Sequence, residues 1–109
     1  MPLYELRIYH AHPGKLDALT ARFALHSDAL IKRHGMNIIA YWMPRGENPK
    51  NILMYMVEHE SEESAAASWA AFLADPEWKR VRAESEADGP IMASIESFYM
   101  DQLDLATIR

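Results

Sequence analysis

The sequence predicts an α+β domain in which one antiparallel sheet carries its helices on a single face. Three observations predict it. Period-two alternation or a run of β-branched and aromatic residues marks strands near both ends of the chain and twice in its middle. Apolar stripes at helical spacing fill the two intervals that remain. Turn and cap residues stand at nearly every boundary between these segments.

The first strand is read over Leu3 to His10, where Tyr4, Leu6 and Ile8 alternate with Glu5, Arg7 and Tyr9. Ala11-His12-Pro13-Gly14 ends it. A helix follows over Lys15 to His34, with Leu16, Leu19, Phe23, His26 and Leu30 drawing one stripe along it. Gly35 suits a left-handed C-cap, and Lys32, Arg33 and His34 suit the negative end of the helix dipole. Met36 to Met43, rich in β-branched and aromatic residues, reads as the second strand. Pro44 to Lys50 is a polar loop, and Asn51 to His59 is the third strand of a hairpin. Ser61 can cap the next helix, with Glu62 and Glu63 in its first turn. That helix runs through Leu73 and restarts at Asp75-Pro76-Glu77, an N-cap followed by proline at the first helical position. Gly89-Pro90 closes the segment, and Ile91 to Met100 is the fourth strand.

Strand, helix, strand, strand, helix, strand is the split βαβ, or ferredoxin-like, plan, here spanning the whole chain of 109 residues as one domain. Right-handed crossovers lay both helices on one face. The other face is left bare, and a second copy is its simplest cover. Glu5, Arg7 and Tyr9 are expected on that bare face, with Glu5 and Arg7 as a charge pair specifying association.

Composition excludes several functions. With no cysteine, disulfides, thiolate metal sites and a cysteine nucleophile are impossible. A net charge of −5 opposes binding to nucleic acid or anionic lipid. The N-terminus lacks the regions of a signal peptide and no run is long and apolar enough for a membrane span, so a cytoplasmic location is expected. Phosphate loops, nucleophile elbows and zinc-protease motifs are absent.

Taken together, Tyr4-Glu5-Leu6-Arg7-Ile8-Tyr9, Pro13-Gly14-Lys15-Leu16, Arg33-His34-Gly35, Trp42, Glu60-Ser61 and Asp75-Pro76-Glu77-Trp78 resemble the NIPSNAP family over nearly the whole chain. His59 departs from the family pattern, which carries an aromatic residue there. The resemblance implies a dimeric α/β barrel, a fold shared with small monooxygenases, haem-degrading enzymes, isomerases and dehydratases. It implies no particular reaction.

Several residues could carry chemistry. His26 lies on the helical stripe and is expected to face the sheet, as a ligand-orienting group, a general base or a hydrogen-bonded core histidine. His26, Trp42, Tyr55, His59 and Trp69 are the pocket candidates, in a slot between sheet and helices. His10 and His12 lack a third partner, so no metal site is assigned. No tight cofactor is expected; haem held by His26 enters only through the family's relatives. The expected function is a homodimer, or a higher oligomer, that binds or converts a small hydrophobic or aromatic molecule. The alternative is a non-catalytic assembly or sensing module.

Overall fold

Hydrogen-bond ladders place the four strands in one antiparallel sheet of order β2-β3-β1-β4, with β1 at Leu3–Ala11, β2 at Asn37–Trp42, β3 at Ile52–His59 and β4 at Met92–Asp101. The structure is a computed structural model, and it describes residues 2–105. β1 is central, flanked by β3 on one side and β4 on the other. This is the ferredoxin-like plan read from the sequence.

The first helical run is α1 (Leu16–Arg22), a π-helical turn (Phe23–Ser27) and α2 (Asp28–Arg33), in continuous succession. Gly35, at φ 84°, ends the run in the left-handed conformation, its N–H bonded to the Lys32 carbonyl at 3.0 Å. The second run is α3 (Glu62–Ala74) and α4 (Pro76–Ser85), broken at Asp75. Ser61 caps α3 by accepting from the Ser64 N–H at 3.1 Å, and Asp75 caps α4 by accepting from the Glu77 N–H at 2.9 Å.

Both runs cover one sheet face, and the core lies between. It contains Tyr9, Leu19, Phe23, Leu30, Ile31, Leu53, Tyr55, Val57, Phe72, Trp78 and Val81. Phe23 makes edge-on contacts with Tyr9, Tyr41 and Tyr55 at centroid distances of 5.2 to 5.5 Å.

The structure corrects the face assignment of β1. Glu5, Arg7 and Tyr9 point toward the helices, because Glu5 bonds to Trp69 of α3 and Tyr9 packs on Phe23. Leu6 and Ile8 point away, in register with Met56 and Phe98 and with Met54 and Glu96. Charge alone does not mark the outer face of this strand. Glu5 and Arg7 neutralise each other, and paired charges are tolerated in a core.

Candidate functional site

The alternation of β1 puts Glu5, Arg7 and Tyr9 in one row, and β3 sets Tyr55 opposite Arg7 and His59 opposite Leu3. Trp69 reaches down from α3. These six side chains form a continuous polar array under the helices. Glu5 is 2 % exposed and accepts from His59 Nε2 at 2.9 Å and Trp69 Nε1 at 2.7 Å through Oε1, and from Arg7 Nη1 at 2.8 Å through Oε2. Arg7 donates from Nη2 to the Tyr9 hydroxyl at 3.1 Å and from Nε to the Tyr55 hydroxyl at 3.1 Å. Its guanidinium stacks on the Trp69 ring, 4.1 Å from the centroid. The two tyrosine hydroxyls are 2.8 Å apart.

Burial alone would raise the Glu5 carboxyl, but the hydrogen bonds from Trp69, Arg7 and His59 outweigh it and hold the group below its ordinary value. Burial opposes the Arg7 charge, yet the surrounding Tyr9, Tyr55 and Glu5 hold the guanidinium above its usual range. Burial pushes the Tyr55 hydroxyl up. The ionised carboxylate can only accept, so His59 carries its proton on Nε2.

Both Glu5 oxygens are engaged, so the carboxylate is not a free base. Arg7 accepts nothing, and both hydroxyl oxygens take hydrogen bonds from it. The tyrosine pair therefore shares one proton between its oxygens, and the second hydroxyl proton has no acceptor inside the array.

Tyr9 joins this array to a cavity of about 210 Å³ between the sheet, the π turn and α4. Tyr9, Phe23, Ile31, Phe72, Trp78 and Met92 supply apolar wall; Arg22, Ser27, Arg82 and Glu86 supply its polar groups. The exposed Leu73 and Ile95 belong to the same lining and form its rim. Arg22, 7 % exposed, stacks over Trp78 at 5.1 Å and donates from Nη1 to Ser85 Oγ at 3.3 Å. Arg22 Nε and Ser27 Oγ are buried without a hydrogen-bond partner. A groove at the β2 edge, about 380 Å³ and lined by Phe23, Ala24, Asp28, Tyr41 and Leu53, is larger but more open. Its polar pair is already satisfied, since the Tyr41 hydroxyl donates to Asp28 at 2.7 Å.

The π turn explains why these residues escaped the sequence. It adds one residue to the helical run and shifts the apolar face, so Arg22, Phe23, Ser27, Leu30 and Ile31 are buried. His26, expected to face the sheet, is exposed and borders an outer groove with Leu25 and Glu84. Trp42, 44 % exposed, lies in register with Met54 on the bare sheet face, away from the cavity. Tyr55, His59 and Trp69 belong to the polar array rather than to the cavity wall. His10 pairs with Glu96 at 2.7 Å and His34 with Asp75 at 2.8 Å. Among the described residues no three His, Asp or Glu side chains converge to hold a metal ion, and no helix is long and apolar enough to cross a membrane.

Comparison with known families then places the chain. The NIPSNAP family model matches residues 4–105. The chain belongs to the NIPSNAP family. A comparison with curated proteins finds no match. Among solved structures, an uncharacterized NIPSNAP-like domain protein from Burkholderia xenovorans is 20% identical, with a TM-score of 0.81 over 94% of this chain and 86% of the other. A NIPSNAP family protein from Agrobacterium tumefaciens is 19% identical, with a TM-score of 0.81 over the full length of both chains. A putative antibiotic biosynthesis monooxygenase from Chloroflexus aurantiacus reaches a TM-score of 0.58 at 16% identity, covering 94% of each chain. At such identities the likeness concerns fold. For this NIPSNAP chain, the chemistry must therefore be argued from its own residues.

Proposed function

We propose that this NIPSNAP protein is a cytoplasmic homodimer in which each subunit binds one small aromatic or hydrophobic molecule between sheet and helices. The cavity at Tyr9, Phe23, Phe72 and Trp78 is the observation that carries the reading. Ligand sites are concave, mostly apolar and marked by a few polar groups, and this one has that make-up. An apolar cavity of about 150 Å³ accepts benzene in another protein, so about 210 Å³ suits one ring with a small substituent. The closed bonding of Glu5 and Arg7 supports a rigid floor for the cavity rather than a reacting pair.

The dimer rests on the opposite face of the sheet. Leu6, Ile8, Met54 and Met56 are only partly covered there, and Phe98 is 51 % exposed. Apolar rows of this kind are normally closed by a partner. Lack of cysteine fits a reducing compartment.

The test is thermal denaturation of the full chain with one-ring and two-ring aromatic probes. One-ring probes should raise the midpoint in a saturable manner while naphthalene-sized probes should not. No shift with any probe, together with native mass spectrometry showing no retained small molecule, would remove the reading.

A further inference from the structure

The cavity's polar groups specify more than an aromatic guest. Arg22 and Arg82 present two guanidinium groups to its lining against the single carboxylate of Glu86. Glu86 is mainly committed elsewhere: Oε2 accepts from Arg82 Nε at 2.9 Å and lies 4.0 Å from Arg22 Nη1, and Oε1 accepts from the Ile91 N–H at 3.4 Å. The two guanidinium groups thus share one carboxylate, and Arg22 is the more deeply buried of them, with a side chain 6 % exposed against 63 % for Arg82. Burying a charge without a close partner is costly, as is burying a donor without an acceptor. Arg22 has its carboxylate partner Glu86 only at 4.0 Å, and its Nε–H has no acceptor. Ser27, 2 % exposed, adds a second donor with none. The two residues sit on either side of Phe23, within and just before the π turn that brings them to the same cavity.

An acceptor-only group with negative charge would satisfy all three deficits at once. We infer that the cavity takes a one-ring aromatic carboxylate, its ring against Phe72 and Trp78 and its carboxylate received by Arg22 Nε and Ser27 Oγ. This rests on the reading of the cavity as a ligand site and names the class of ligand. Size supports the assignment, since a benzoate-sized molecule is one ring with a compact anionic group.

Calorimetric titration of the full-length protein with benzoate, benzyl alcohol and toluene tests it. Benzoate should bind about tenfold or more tightly than either neutral probe, as expected for hydrogen bonds to a charged group. Ser27→Ala should weaken benzoate several-fold, and Arg22→Gln by about tenfold or more, with toluene affinity unchanged in both. Arg80→Gln, at an exposed residue outside the cavity, should leave all three affinities unchanged. Equal affinity for the three probes, or full benzoate affinity in Ser27→Ala, would overturn the carboxylate assignment while leaving the aromatic site standing. Failure of all three to bind would remove both. If Arg22→Gln does not fold, the probe series and Ser27→Ala decide the matter alone.

Discussion

Glu5 and Arg7, two positions apart on β1, meet at 2.8 Å on the side of the sheet that the helices cover. The carboxylate is nearly sealed, and the guanidinium is held between Trp69 and two tyrosine hydroxyls. A charge pair set into a core in this way is tuned to the presence of both partners.

Removing one partner should therefore cost much more than replacing both. Glu5→Ala should destabilise the fold by about 3–5 kcal/mol, since it leaves Arg7 without its counter-charge. The double variant Glu5→Leu, Arg7→Met should lose less than Glu5→Ala alone. Urea denaturation of the three proteins measures this, and a double variant worse than the single would contradict it.

Acid should act through the same carboxylate. Glu5 has a folded-state pKa below its ordinary value of 4.5, so the unfolded chain binds the proton more readily. Its contribution is complete above pH 4.5 and is lost as pH falls through the lower folded value. Asp28 and Asp75 are lowered as well and add to the same slope. Stability measured by denaturant should hold level from neutrality to about pH 5 and then fall. Glu5→Gln should start less stable and fall less steeply; an acid slope identical to that of the parent protein would show that Glu5 does not contribute.

Asp75 has more tasks than Ser61, since it also pairs with Arg33 at 3.5 Å. Asp75 caps α4 and also accepts from His34 Nε2 at 2.8 Å, joining the end of α2 to the break between α3 and α4. Ser61→Ala should cost about 1 kcal/mol, as loss of a cap does. Asp75→Ala should lower the thermal midpoint further than Ser61→Ala. A smaller effect at Asp75 would mean that its links to His34 and Arg33 add nothing to the fold.

The outward face of the sheet makes its own prediction. Leu6 lies between Met56 and Phe98 in the middle of the apolar row. Leu6→Lys should convert a dimer into a folded monomer, read by analytical ultracentrifugation with circular dichroism as the control. A parent protein that already sediments as a monomer at micromolar concentration would dismiss the dimer.

These predictions also show which features could be read in the amino-acid order. Gly35, Ser61, Asp75-Pro76 and Gly89-Pro90 act on their own backbone, so local chemistry located the element ends closely. Which side of β1 faces inward is not local. Tyr4, Leu6 and Ile8 look like the buried set until Trp69 and His59, more than fifty residues away, are known to bond Glu5. His26 was misplaced because the stripe assumed 3.6 residues per turn through Phe23–Ser27, where the helix widens. The cavity draws Arg22 and Ser27 from one helical run, Trp78 from another and Ile95 from β4, and no spacing in the chain announces such a meeting. Arg22 and Ser27 would have attracted notice only as polar residues on a helical face otherwise apolar.

The widened turn has a consequence for how the chain can change length. A π turn is an α-helix holding one residue more than its hydrogen-bond ladder needs. Elsewhere in the helix, loss of one residue would rotate everything beyond it by about 100° and expose half the core stripe. Within Phe23–Ser27, loss of the exposed Leu25 would only close the ladder, leaving Leu19 and Ile31 on the faces they already occupy. That segment is the helix's spare link: Arg22 and Ser27 stand on either side of Leu25, so their juxtaposition at the cavity would outlast its loss.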